Sequence, residues 1–422
     1  MKTAVTLLAV AMSLPSLRAA SPGPVSQVGA PLPPPGVRPP PPPATLPPPP
    51  NPPGRAVADA GRFSLPLPSL SVSEKADFDV GKAEFLAVET PEGGLGPVFN
   101  DVSCVACHFQ GGAGGFSRVT VTRFGKLVNG VFDPLVEKGG SLLQKRATSK
   151  EFLETIPAEA NVVALRLTTP LFGAGLLEAI PDAVILAQET RTKVDGVKGR
   201  AARILDPASG QTRVGRFGWK AQHATLDGFA ADAYLNEMGV TNRLFPKENA
   251  PNGNALLLAK ADQVLDPEDA PAEGKADFNL AADFMRLLAP VPPMRPSAQI
   301  NAGSLVFAQV GCAACHVPVL KTGPSPIAAL ANREVFAYSD LLLHDMGRLG
   351  DGIEQPPAKG NEMRTAPLWG LRLRDRYLHD GRASTLDLAI QAHEGEAAVA
   401  RERFRKLDAA KRTALLAFLN SL

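Results

Sequence analysis

Cys104-Val-Ala-Cys107-His108 and Cys312-Ala-Ala-Cys315-His316 decide how this 422-residue chain is read. Two thiols separated by two residues, with a histidine directly after the second, form the pattern by which a chain attaches haem covalently. The sulfurs add to the vinyl groups, and the histidine meets the iron from the proximal side. The two motifs use all four cysteines of the chain. Other uses of paired cysteines fit less well. A zinc site built from two such pairs sets them about 15–20 residues apart, whereas about 200 residues intervene here. Disulfides, structural or redox, leave the histidine after each pair without a reason. The motifs therefore predict two covalently bound haem c groups, held by Cys104, Cys107, Cys312 and Cys315, with His108 and His316 as iron ligands.

The flanks of the motifs repeat as well. Gly81 with Phe85, and Gly303 with Phe307, precede the two cysteine pairs at helical spacing. A Thr-x-Pro-Leu-aromatic-Gly run follows each, at 168–173 and 365–370, and then a Thr-Leu pair, Thr225-Leu226 and Thr385-Leu386. The first copy is longer. Val119, Val121, Leu127, Val128, Val131 and Phe132 flank the turn signal Asn129-Gly130, which reads as a hairpin. At the C-terminus, Asp408 is a helix N-cap, and Leu415, Phe418, Leu419 and Leu422 form one apolar face. The predicted fold is mainly α: two cytochrome c-like haem domains, the first with a long insertion containing short β strands.

Composition sets the outer bounds. Hydrophobic residues make up 45%, enough for a core, and aromatics only 6%, which suits a core partly filled by a large apolar group. A net charge of +2 without a basic run or aromatic–basic interleaving shows no nucleic-acid footprint. Lys2, the apolar run Ala4–Leu14 and the small residues Ala19 and Ala20 read as a secretory signal. That run is too short to span a bilayer, so the reading is export to the periplasm without a stable membrane span. Loss of Lys2 and Arg18 would leave a net charge of 2 − 2 = 0. The proline tract between Pro22 and Pro53 reads as an extended linker, and a second proline-rich break spans Pro290 to Pro296. The predicted divisions are a signal peptide at 1–20, a disordered proline-rich linker at 21–60, an N-terminal haem domain at 61–295 and a C-terminal haem domain at 296–422.

The wider motifs carry a resemblance. Phe99-Asn-Asp-Val-Ser-Cys-Val-Ala-Cys-His108, Leu171-Phe-Gly-Ala-Gly-Leu-Leu-Glu-Ala-Ile-Pro-Asp182, Gly215-Arg-Phe-Gly-Trp-Lys-Ala221, Leu341-Leu-Leu-His-Asp-Met-Gly347, Arg364-Thr-Ala-Pro-Leu-Trp-Gly370 and Tyr377-Leu-His-Asp-Gly-Arg382 resemble the di-haem oxidoreductases once called thiol oxidoreductases. These are distant relatives of bacterial di-haem cytochrome c peroxidases and of the MauG type. The resemblance runs from Phe85 to Leu422.

It implies roles. In the peroxidase relatives the C-terminal haem is high-potential, with His and Met ligands. Met346, in the His-Asp-Met-Gly motif, and Met363, four residues before Pro367, are the two candidates for that Met. The N-terminal haem of those relatives meets peroxide beside a distal glutamate. Moving a proton from the near peroxide oxygen to the far one suits a carboxylate in an apolar pocket. Trp219 stands where the relatives carry the Trp of a Trp-Asp-Gly-Arg segment, and Glu237-Met238 matches their later Glu-Met pair. Glu178 is the second candidate acid. His223 is a candidate sixth ligand of the N-terminal haem, and His379 a hydrogen-bonding group near the haems. Arg364 and Arg382 are candidate propionate partners. Trp369 and Tyr377 are either relays between the haems or buried packing. Calcium lies between the domains in relatives, and no loop here is assigned to it.

The implied activity is a peroxidase-like oxidoreductase. It would draw on a periplasmic electron donor or acceptor, such as a small cytochrome or cupredoxin, and act on peroxide or an unknown substrate. The alternatives are a non-catalytic electron-transfer cytochrome c, with both haems six-coordinate, and a MauG-like oxidase of a protein or polymer.

Overall fold

The structure, a computed structural model, describes residues 63–262, 264 and 274–422, and the predicted signal and linker lie outside them. The helices are α1 (Val72–Leu86), α2 (Cys104–Cys107), α3 (Ala174–Glu178), α4 (Asp182–Thr190), α5 (Leu226–Ala233), α6 (Ala255–Ala261), α7 (Asp277–Leu287), α8 (Ala298–Val310), α9 (Leu386–Gln391), α10 (Ala398–Arg405) and α11 (Ala409–Leu419). Between them run short strands: β1 (Val98–Phe99), β2 (Thr120–Val128), β3 (Val131–Asp133), β4 (Leu142–Leu143), β5 (Arg146–Ala147), β6 (Val162–Leu167), β7 (Arg203–Leu205), β8 (Thr212–Val214), β9 (Leu320–Lys321), β10 (Glu334–Val335), β11 (Leu343–Asp345) and β12 (Glu362–Arg364). Helices dominate, and the sheets are small and antiparallel.

Two helix pairs, α1 with α7 and α8 with α11, are built on the same packing elements. The N-terminal member of each pair is capped by serine. Ser71 and Glu74 form a reciprocal capping box at 3.2 and 2.7 Å, and Ser297 accepts from the Ile300 amide at 3.2 Å. Midway along each helix a glycine lets the partner's backbone approach. A Cβ on Gly81 would stand 2.3 Å from the Leu280 carbonyl oxygen, and one on Gly303 would stand 2.0 Å from that of Ala414. One turn further on, Phe85 packs on Phe284 at 4.8 Å between ring centroids, and Phe307 packs on Phe418 at 5.3 Å. The Thr-Leu pairs cap the equivalent later helices: Thr225 accepts from Gly228 N and Thr385 from Leu388 N, each at 3.1 Å. The sequence repeat thus recurs as repeated packing.

The insertion in the first copy is a four-stranded sheet. Asn129 and Gly130, at φ 53° and 80°, turn β2 into β3, as an Asn-Gly hairpin turn requires. β4 and β6 also pair with β2.

Two buried ionic knots tie distant segments together. Lys220, fully buried, donates to the carbonyls of Lys359, Gly360 and Glu362 at 2.9, 3.2 and 2.6 Å and pairs with Asp351 at 2.9 Å. Arg166 Nε reaches the other oxygen of Asp351 at 2.8 Å. In the second knot His344 lies between Asp340 at 3.0 Å and Glu396 at 2.7 Å, while Lys193 pairs with Asp340 at 3.1 Å. Burial would discharge the His344 imidazole, but its bonds to Asp340, Cys315 and Glu396 raise its pKa to about 11. Burial likewise opposes ionisation of Asp340, but His344 and Lys193 bring it down to about 2.

Replacing Gly81 or Gly303 by Val forces each helix pair apart, at a cost of roughly 1–3 kcal/mol or more; thermal denaturation of either variant beside the parent measures it. For the second knot, His344→Gln removes the cation that Asp340 and Glu396 share and leaves Asp340 with Lys193 alone, a loss of up to roughly 3–5 kcal/mol. The stability owed to His344 is complete below its ordinary value of 6.5 and vanishes as pH rises through about 11. The gap in Tm between parent and variant should therefore narrow from about pH 6 to about pH 10. A gap that stays constant or widens refutes this account.

Candidate haem sites

Each Cys-x-x-Cys-His segment lines its own cavity. In the N-terminal one, Ser103 caps the single turn of α2 by accepting from Ala106 N at 3.2 Å. Cys104, Cys107 and His108 then line a space of about 1210 Å³, partly continuous with solvent. The His108 Nδ1 donates to the Gly115 carbonyl at 3.1 Å. That bond fixes the ring and leaves Nε2 to meet a metal. Burial pushes the His108 pKa down to about 4, so the imidazole is neutral at physiological pH.

Glu237 and Trp219 line the same cavity. Glu237 sits on the π turn Tyr234–Met238 that continues α5; such turns are frequent at functional sites. Its Oε2 accepts from Asn100 Nδ2 at 2.8 Å, and its carbonyl accepts from the amides of Asn100 and Asp101 at 2.7 and 3.2 Å. Burial holds the carboxyl above the ordinary carboxylate value, against the pull of Arg123. His223 is in the lining too, with its Nε2 3.4 Å from Asp232.

Glu178 is not brought to this cavity. One oxygen accepts from Leu226 N at 2.7 Å, and the other pairs with Arg286 at 2.7 Å. The Leu-Leu-Glu-Ala-Ile-Pro motif therefore supplies a brace for the start of α5, where an acid offsets the positive end of the helix.

In the C-terminal half Cys312, Cys315 and His316 line a space of about 1460 Å³, also partly open to solvent. The His316 Nδ1 donates to the Tyr338 carbonyl at 2.9 Å, and burial brings its pKa down to about 4. Both candidate methionines reach this cavity: β11 pairs with β12 so that Met363 lies opposite His344, and Met346 follows the end of β11. Tyr377 and His379 line it as well. So does His393, which the sequence reading passed over; its Nδ1 meets the Ala389 carbonyl at 2.8 Å. Arg382 does not reach it and pairs instead with Asp380 at 2.5 Å. Trp369 is buried packing beside Pro367 and Phe172.

Trp219 lines both cavities. Its indole N–H donates to the Leu167 carbonyl at 2.9 Å, and its ring meets His379 edge-on at 6.3 Å. Near this junction lie two guanidiniums, Arg364 and Arg374, with no carboxylate within 4 Å among the described residues. Burial lowers both to about 10, so both stay charged, and the Arg374 Nε has no hydrogen-bond partner. An unpaired buried cation is costly. Carboxylates on a large apolar group would satisfy it, as haem propionates do. The thiol pairs, the oriented neutral imidazoles, the space and the unpaired cations all fit haem. They do not fit one shared zinc, because the two thiol pairs line separate cavities. Among the described residues no cluster of three or more His, Cys, Asp or Glu could hold a metal ion.

No curated protein matches the chain. Among solved structures it is similar to the hydrazine synthase of Kuenenia stuttgartiensis pressurised with xenon, at 14% identity over 85% of this chain and 95% of that one, with a TM-score of 0.35. It is also similar to a MauG-like protein associated with microbial copper homeostasis, at 16% identity over 85% and 92%, with a TM-score of 0.37. Residues 146–422, about two thirds of the chain, match the family described as "Di-haem oxidoreductase, putative peroxidase". That span contains Cys312–His316, and the site at Cys104–His108 lies just ahead of it. With two such sites joined by one tryptophan, the chain belongs to the di-haem oxidoreductase family.

Proposed function

We propose that this oxidoreductase is an exported, peroxidase-like di-haem c-type cytochrome in which the N-terminal site is catalytic and the C-terminal site stores and relays electrons. The observation that carries this reading is asymmetry. Each lining contains a glutamate and two methionines, Glu237 with Met238 and Met285 in the cavity of His108, and Glu396 with Met346 and Met363 in that of His316. Burial holds Glu237 above the ordinary carboxylate value, whereas Glu396 is paired with His344 at 2.7 Å and held below it. A thioether ligand raises an iron potential, which suits the electron-storing site.

Haem, when bound, supplies the iron that exchanges electrons with peroxide. The chain's residues do the rest. The net change is ROOH + 2 H⁺ + 2 e⁻ → ROH + H₂O, with the electrons coming from a small periplasmic cytochrome or cupredoxin. Glu237 takes the proton from the near peroxide oxygen and returns it to the far one, where it leaves as alcohol or water. A carboxyl held above its ordinary value by burial is suited to both transfers near neutral pH. Asn100 fixes its orientation. Trp219, shared by both cavities, is the side chain through which electrons pass between the sites. Arg364 and Arg374 neutralise the carboxylates of the bound group. Among the described residues no helix is long and apolar enough to cross a membrane. The periplasmic location rests on the N-terminal leader read from the sequence.

The haemochrome assay of the purified protein should give two haems per chain, and of Cys104→Ser combined with Cys107→Ser, one. Electron paramagnetic resonance tests the asymmetry. A high-spin ferric signal beside a low-spin one, with the high-spin signal lost on adding hydrogen peroxide, is expected. Two low-spin signals indifferent to peroxide, in both the oxidised and the half-reduced protein, leave an electron carrier instead. Glu237→Gln should slow the peroxide reaction by roughly 10²–10⁴-fold with haem content unchanged. In the parent the rate should rise with pH through a value above the ordinary 4.5 of a glutamate, because the ionised form takes the first proton. That limb should be absent from the variant.

A further inference from the structure

The strand insertion of the first half contributes no cysteine or histidine, yet one face of it walls the N-terminal cavity. Alternate residues of a strand share a face, and on β2 Val121 and Arg123 both line the space that contains His108 and Glu237. Arg166, opposite Val121 on β6, lines it too. The two arginines differ in their commitments. Arg166 is bound to Asp351 and Gln355. Arg123 has no carboxylate within 4 Å among the described residues. It makes one long hydrogen bond, from Nη1 to Ser141 Oγ at 3.3 Å, and its buried Nε has no partner. Burial lowers its pKa to about 10, so it remains a cation at neutral pH.

A second unpartnered atom lines the same cavity. The Nε2 of His223 faces Asp232, and its Nδ1 is buried without a partner. Leaving such groups unsatisfied is unfavourable. A guanidinium donor, an imidazole nitrogen and the carboxyl of Glu237 therefore border one space. A small molecule with two adjacent oxygens, each able to donate or accept, satisfies this set.

We propose that Arg123 is a substrate-binding residue of the N-terminal cavity, donating to the oxygen of a small hydroperoxide held beside Glu237. This assignment rests on the peroxidase reading above. The same guanidinium chemistry would also serve a carboxylate of the haem itself, so the test separates the two.

Fluoride is the probe for a donor beside the iron, since it accepts hydrogen bonds and carries no proton of its own at neutral pH. The full-length protein with both haems is titrated with fluoride and mixed with hydrogen peroxide, in the oxidised and half-reduced states, beside Arg123→Gln and Arg123→Lys. A hydrogen bond to a charged group is worth about 1.5–3 kcal/mol. Arg123→Gln should therefore weaken fluoride binding by about tenfold or more and slow the peroxide reaction by a similar factor. Arg123→Lys, which keeps the charge, should recover part of the fluoride affinity. Haem content and the C-terminal spectrum should be the same in all three. A fluoride affinity in Arg123→Gln within about twofold of the parent overturns the proposal. If the N-terminal reduction potential also shifts in that case, Arg123 is the partner of a haem carboxylate. A parent that responds to neither fluoride nor peroxide in either state overturns the peroxidase reading, and the proposal with it.

Discussion

Everything else in this molecule depends on two helix crossings at which a glycine meets a backbone carbonyl. At Gly81 and again at Gly303 the facing helix comes so close that a single Cβ would overlap an oxygen. This brings Phe85 over Phe284 and Phe307 over Phe418. Each of these rings lies at the inner end of its helix pair, and Phe85 and Phe307 line the two cavities. The helix that carries each glycine leads into the segment bearing Cys-x-x-Cys-His, so the close crossing aligns the thiols and the histidine along a cavity wall.

The two cavities share a frame and differ in chemistry because of what was added to each copy. In the first, α5 runs on into the π turn that carries Glu237, and a four-stranded sheet contributes Arg123 and Arg166. In the second, the short β11–β12 hairpin contributes Met346 and Met363. His108 and His316 both remain neutral through burial, with Nδ1 tied to a backbone carbonyl. Ring orientation is thus a property of the common frame. The rest of each cavity's lining is local.

Charge in the interior is handled in two ways. Asp351 with Lys220 and Arg166, and Asp340 with His344 and Lys193, are closed networks in which burial is offset by partners on all sides. Arg364, which is buried, and Arg374 and Arg123, which are half-buried with buried Nε atoms, are open: charged and without a carboxylate among the described residues. Buried ion pairs weakly support stability, but a buried unpaired charge is strongly unfavourable. Closed groups therefore hold the segments in place, and the open ones mark where another molecule completes the structure.

Much of this was legible from short-range pattern. The Cys-x-x-Cys-His motifs, the repeated Thr-Leu pairs, the Asp408 cap, the Asn129-Gly130 hairpin and the apolar face of α11 are written within four or five residues, because the hydrogen bonds and side-chain contacts behind them span no more than that. Glu237 and Trp219 were legible by resemblance. Glu178 stood in an equally distinct motif and proved to be a helix brace, since its partners Leu226 and Arg286 are 48 and 108 residues away. Nothing in the run Arg372, Arg374, Arg376 marks the second as the one whose Nε is buried without a partner. Nor does pattern separate Met346 from Met363, which one hairpin delivers to one cavity. By itself the sequence determined where the two Cys-x-x-Cys-His segments lie, that a helix carrying Gly81 or Gly303 precedes each, and that a helix closes the chain, because all of these are local patterns. Which cation is left open and which acid enters a cavity was decided only by the tertiary structure. Those outcomes depend on pairings such as Arg166 with Asp351, 185 residues apart, that exist only once the chain has folded.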